Sequence, residues 1–248
     1  MSNIVILSDS YLNIDRMKAN IENDKLVLVP HKRKDNKNKF NIVNLGEGGL
    51  TWKKLMEKKK VLKQWILAVP VCTILHLGAI DIVSQEWDLK EGGLSVMKNL
   101  VNKIKAYLTL LNNFVKDTLG DKGFQTWKSR HTYMLAQIPD WGEFVSSRGG
   151  TLTPEEFRKL RRQANHGLKR HRGALWAEFS CITIHPHINI PWMEGVHYDK
   201  ETQYYYVKQI LETTKKILCD CCRPDTTASN RQMTQRLSDP VCVRKGKI

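Results

Sequence analysis

Short apolar runs alternate along the chain with stretches in which apolar residues recur every three or four positions. That is the pattern of strands joined by crossover helices, and it predicts an α/β domain built on a mainly parallel sheet. Strands are expected at 3–8 (NIVILS), 26–30 (LVLVP), 41–45 (NIVNL), 71–77 (VCTILHL), 131–138 (HTYMLAQI) and 176–184 (WAEFSCITI). The runs at 4–7 and 71–77 are almost wholly apolar, as suits strands covered on both faces.

The helical periods are equally plain. Leu94, Met97, Val101, Ile104, Leu108, Leu111 and Val115 follow one another at spacings of three and four, and Gly120 is the expected stop, so a helix is predicted over 94–119. At 153–156 the stretch TPEE reads as a helix start: Thr153 as cap, Pro154 in the first turn, Glu156 closing a capping box. Phe157, Leu160, Ala164 and Leu168 then form its apolar stripe. A last helix is predicted over about 201–218, with Tyr204, Val207, Leu211, Thr214 and Leu218 on one side. After it the aliphatic residues thin out, so the organisation expected is one domain, 1–222, and a basic, disordered tail, 223–248.

Composition adds one unusual fact to this picture. Hydrophobic residues at 41% and charged residues at 26% are ordinary for a globular chain, but the net charge is +15. Residues 31–63 carry eleven Lys/Arg against three acids, and 158–172 (RKLRRQANHGLKRHR) carry seven and no acid. Each run reads plainly as a solvated face; together they raise nucleic acid or an anionic surface as a partner, held by its backbone rather than its sequence. No stretch has the form of a signal peptide or of a transmembrane segment, and the cysteines suit reduced thiols, so a cytoplasmic or nuclear setting is expected. The cluster Cys219, Cys221 and Cys222 has no second pair at ligand spacing, and no metal is expected.

Open α/β sheets bind ligands beyond the carboxyl ends of their strands. There this chain places Ser8-Asp9-Ser10, the turn NLGEGGLT at 44–51, LGAID at 77–81, and EGVHYD at 194–199. Taken singly, each has an ordinary reading: a capped turn, a glycine turn, a surface or core histidine. Taken together they supply what acyl transfer needs: a hydroxyl, a base, a group to orient the base, and backbone N–H groups for an oxyanion.

In order and context these stretches resemble the four sequence blocks of the SGNH (GDSL-type) hydrolases. Ser8-Asp9-Ser10-Tyr11 matches the first block; Asn44, Gly46, Gly49 and Thr51 match the second. Gly78-Ala79-Ile80-Asp81 matches the third, and Glu194-Gly195-Val196-His197 the last. The resemblance runs from about residue 3 to 218 and implies a flavodoxin-like three-layer α/β/α sandwich. It also implies a serine esterase or acylhydrolase acting on an ester substrate, without metal or organic cofactor. Ser10 would be the nucleophile, His197 the base, and Glu194 the residue orienting it. The N–H groups of Ser10 and Gly49 would hold the oxyanion, with Asp9, Asn44, Gly78 and Asp81 in support.

Three positions depart from the family pattern: Ser8 stands for glycine, Glu194 for aspartate, and Ile80 for the asparagine that donates to the oxyanion. Asn44 or Asn165 is a candidate to replace that donor, and His185 and His187 compete with His197 as base, while His76 within its strand is expected to be buried. The alternative implied is a catalytically impaired domain of this fold that binds nucleic acid or protein. Basic domains of this type without a leader resemble those in proteins of animal mobile elements, retrotransposons included.

Overall fold

Asn3 to Ser8 carry Ile4, Val5, Ile6 and Leu7 in succession, and all four are fully buried, so the first strand lies at the centre of the sheet. The computed structural model describes residues 2–9, 21–22, 25–27, 40–84, 94–140, 152–184, 193–194 and 197–218. In chain order the strands are β1 (Ser2–Ser8), β2 (Ile21–Glu22), β3 (Lys25–Val27), β4 (Phe40–Asn44), β5 (Pro70–His76), β6 (Thr132–Ala136), β7 (Cys181–Ile184), β8 (Met193–Glu194) and β9 (His197–Tyr198). The helices are α1 (Trp52–Glu57), α2 (Lys59–Leu67), α3 (Ala79–Val83), α4 (Leu94–Arg130), α5 (Pro154–Arg170), α6 (Arg172–Phe179) and α7 (Lys200–Leu218).

The main sheet has the order β2-β3-β4-β1-β5-β6-β7, and β8 and β9 pair as a separate antiparallel ribbon. From β4 to β7 every neighbouring pair is parallel, while β2 and β3 add an antiparallel margin. The chain leaves β1 on one side to reach β4 and returns on its other side as β5, so the strand order reverses beside β1. In sheets of this kind that reversal opens a crevice at the carboxyl edge.

Alternation along β5 shows that helices cover both faces. Thr73 accepts a 2.7 Å hydrogen bond from the Trp65 indole of α2. Its neighbour Cys72 faces the other way, toward Thr214 of α7. His76, in phase with Cys72, has its ring centroid 5.2 Å from that of Tyr206, also on α7. Val101, Ile104, Leu108, Leu111 and Val115 of α4 are buried in the core, and Tyr133 of β6 donates to Asn112 of that helix at 3.0 Å. Each such aliphatic side chain removed from water contributes about 1.5–3 kcal/mol. The mainly parallel α/β architecture expected from the sequence is the one observed.

Local differences have local causes. The stretch 176–184, read as one strand, splits: α6 runs to Phe179, Ser180 turns left-handed at φ 50°, and only Cys181–Ile184 extends. Its apolar residues serve two elements in succession, which periodicity over nine residues cannot separate. Gly120 breaks the helical path at φ 69°, as a stop signal should, but the chain resumes helix beyond it to Arg130. On α7 the buried stripe is Gln203, Tyr206, Val207, Ile210 and Thr214, rotated from the one expected: Leu211 is only half-buried. The capping box at Thr153 and Glu156 forms as read, with Thr153 Oγ1 accepting from Glu156 N and the Glu156 carboxylate accepting from Thr153 N. The tail 223–248 lies outside the described residues. Among those described, no helix is long and apolar enough to cross a membrane.

Candidate active site

The carboxyl ends of β1, β4 and β5 are tied together by the backbone itself. Asp9 N donates to His76 O at 3.3 Å, Leu45 N to Ile6 O at 2.9 Å, and Glu47 N to Ser8 O at 3.1 Å. The glycine turn after β4 therefore lies directly against the end of β1. Gly46 is needed there for space: a Cβ would stand 2.5 Å from Ser8 Oγ and 2.9 Å from both Asn44 Oδ1 and the Ser8 carbonyl. Gly49 is needed for conformation, since its φ of 75° is left-handed.

Two buried carboxylates brace this turn. Asp9 Oδ1 accepts from Gly49 N at 2.8 Å, and Asp81 Oδ1 accepts from Trp52 N at 3.1 Å, where α1 begins. Thr51 caps the same helix by accepting from Lys54 N. Asn44 Oδ1 accepts from Gly46 N at 2.9 Å. Gly78, at φ 121°, is the N-cap of α3 and turns the chain from β5 so that Asp81 lies in the first turn. Asp9, Asn44, Gly46, Gly49, Gly78 and Asp81, singled out from three separate stretches of the chain, thus form one hydrogen-bonded edge.

The remaining expected residues meet this edge less completely. Ser10 lies outside the described residues, as do His185, His187 and the side chains of Glu194 and His197. Ser8, two positions earlier, is buried, and its Oγ has no hydrogen-bond partner among the described residues. In the β8–β9 ribbon the backbone register sets Glu194 opposite His197. Tyr198, the next residue, is buried with its ring centroid 5.8 Å from that of His76 and 5.9 Å from that of Tyr206. Gln203 Nε2 donates to the Tyr198 carbonyl at 2.6 Å, and Asp199 accepts from Thr202 N at 2.7 Å, so the ribbon is fastened to the start of α7. Since His76 is the register partner of Ser8, this packing brings the His197 ribbon to the end of β1.

His76 itself belongs to the core. Burial lowers its pKa to about 3, against a hydrogen bond with the Gln137 backbone that works the other way, so the ring is neutral at pH 7. Ile80 is half-buried on α3 and packs against the core. Of the two asparagines considered as its replacement, Asn165 is unavailable. Its amide is spent on one residue, accepting from Ile138 N and donating to Ile138 O, each at 2.9 Å. Asn44 has given its oxygen to Gly46, while its buried Nδ2 has no acceptor among the described residues. The Gly49 N–H, expected to face an oxyanion, is engaged with Asp9.

Sequence reading passed over the bracket that holds the loop after β6. Arg161, four residues before Asn165 on α5, bonds Asp140 Oδ2 at 3.2 Å, and Arg158 reaches the same carboxylate. Burial lowers the Arg161 pKa; Asp140 opposes that shift, and the neighbouring Arg162 and Arg158 add to it. The spacing of Arg161 and Asn165 on one helix face was the available signal, but nothing marked residue 138 as their target. No cluster of three potential metal ligands occurs among the described residues. Cys72 and Cys181 are buried free thiols whose pKa burial pushes up, which makes them poor nucleophiles.

No protein-family profile matches the chain, and no curated protein does. Solved structures similar to it include the psychrotrophic esterase EstA from Pseudoalteromonas sp., at 14% identity over 88% of this chain and 99% of that chain, with a TM-score of 0.45. A GDSL-like lipase from Bacteroides thetaiotaomicron is 13% identical over 88% of this chain and 89% of its own, with a TM-score of 0.47. A further structure reaches a TM-score of 0.53 at 10% identity, covering 88% of this chain and 99% of that chain. At these identities the likeness concerns the fold alone.

Proposed function

We propose that the chain is a serine esterase or acylhydrolase of SGNH type. The observation that carries this reading is the meeting of the sequence blocks at one sheet edge. Asp9 and Asp81 brace the glycine turn 44–51, and Tyr198 seats the His197 ribbon against His76, the partner of Ser8. Ser10 would attack the ester carbonyl, its proton passing to His197, which Glu194 orients. The alcohol would leave with that proton, and water would then release the acyl group from Ser10 by the same route.

Stabilisation of the oxyanion is the weak part of this machinery. Ile80 has no polar hydrogen to give, and the Gly49 N–H would have to be shared with, or released by, Asp9. Losing one preorganised donor typically costs about 10²–10³ in rate, so turnover slower than in an enzyme with a full donor set is expected. The same two observations favour the second reading, a catalytically impaired domain of this fold whose role is binding. Hydrolysis of p-nitrophenyl acetate separates the two. The esterase reading expects slow turnover that Ser10→Ala and His197→Ala abolish and Ser8→Ala leaves within a few-fold. Turnover equal in the native chain and the Ser10→Ala variant rejects it.

A further inference from the structure

The exposed side of α5 does not take part in the edge just described. Its inner face is apolar, with Phe157, Ala164 and Leu168 buried; its outer face is acidic only in the first turn, at Glu155 and Glu156, and cationic beyond it. Arg158, Lys159, Arg162, Lys169 and Arg170 are all exposed, and Arg172 continues the row at the start of α6. At 1.5 Å per residue, the row from 158 to 170 is about 18 Å long.

Compensation is uneven along it. Arg158 shares Asp140 with Arg161, and Lys159 lies near Glu156. Arg162, Lys169, Arg170 and Arg172 have no carboxylate partner among the described residues. A surface that keeps four like charges without a carboxylate partner, three of them within 169–172, is organised for an outside anion.

We infer that this face of α5 and α6 is a docking strip for the phosphate backbone of double-stranded nucleic acid, bound without regard to sequence. Three features select that partner. The strip spans about five base-pair steps of 3.4 Å, so its cations can meet successive phosphates of one strand. Single strands are normally held by stacking on aromatic side chains; Phe157, the one Phe, Tyr or Trp of α5, is buried, and the only exposed ring on that helix is the small imidazole of His166. Helices that dock on anionic membranes insert apolar side chains, and no large hydrophobic residue of α5 is exposed. The inference stands whether or not Ser10 turns over an ester.

The test is fluorescence anisotropy with a 20-base-pair duplex and the matching single strand over 50–200 mM salt. Flotation with phosphatidylserine vesicles runs in parallel. With four phosphate contacts the logarithm of the binding constant should fall with log salt at a slope of about −3.6 or steeper, so affinity drops at least on the order of 100-fold across this range. Combined Arg162→Gln, Lys169→Gln and Arg170→Gln should make the slope shallower by about 2.7, with the thermal unfolding midpoint unchanged. If the triple variant unfolds, Arg162→Gln alone should still shift the slope by about 0.9. Duplex binding that the variants leave intact, tighter binding of the single strand, or capture by vesicles without duplex binding would each overturn the assignment.

Discussion

Ile80 lies in the first turn of α3, beside Asp81, at the position where the SGNH pattern has an asparagine, and its side chain is purely aliphatic. Ile80→Asn is therefore expected to raise kcat for p-nitrophenyl acetate by about 10²-fold, with a smaller change in KM, because the added donor acts on charge that develops in the transition state. An unchanged kcat would mean that the donor position is not occupied from residue 80. Gly46 is the complementary case, a residue required for space. Gly46→Ala drives a methyl group into Ser8 Oγ, Asn44 Oδ1 and the Ser8 carbonyl, and the end of β1 must move to admit it. A loss of about 1–3 kcal/mol is expected, read as a lower midpoint in urea, together with reduced hydrolysis. These glycines and aspartates were legible in the sequence because a turn that lets backbone approach backbone leaves a composition signature. The Gly49–Asp9 bond was not, since nothing in a residue's identity says which acceptor an N–H will find.

Among the elements, α5 was the most legible and the ribbon β8–β9 the least. Cap, proline, apolar stripe and cationic stripe all announced α5 in its own sequence, and Thr153→Ala should cost about 1 kcal/mol in a urea melt. The ribbon offers two residues per strand, too few for a period, and its position depends on Tyr198 packing against His76, more than a hundred residues away in the chain. Strands β5 and β6 are joined on the α2 side by a buried polar network. Trp65 donates to Thr73, whose Oγ1 lies 2.7 Å from His131 Nε2, and the His131 ring stacks on Trp127 with centroids 4.4 Å apart. Burial lowers the pKa of both His131 and His76 to about 3. The unfolded chain therefore binds more protons than the folded one between about pH 6.5 and 3, so their contribution is complete above that window and declines as pH falls through it. Urea midpoints measured from pH 7 to pH 4 should fall steadily, each histidine contributing up to about 1.4 kcal/mol per unit. A flat profile would place both rings in contact with water.

At the scale of the whole molecule, the order β4-β1-β5-β6-β7 gathers residues from positions 9 to 81 around the end of β1, and β9 adds its ribbon from near residue 197. The alternation of apolar runs and helical periods was enough to read that plan, because a buried parallel strand carries its signal locally. Strand order, the antiparallel pair β2–β3 and the division of 176–184 into helix and strand were not readable. Each depends on which surfaces meet after the chain has collapsed. Two proposals attach to this plan, acyl transfer at the carboxyl edge and anion docking on the cationic face of α5 and α6. Only the first bears on the central claim that Ser10 is a nucleophile. Treatment with a fluorophosphonate followed by peptide mass spectrometry addresses that claim without knowledge of the natural ester. The account predicts a stoichiometric phosphonyl adduct on Ser10, absent from Ser10→Ala and sharply slowed in His197→Ala. An adduct on another serine, or no adduct on the folded chain, would contradict it.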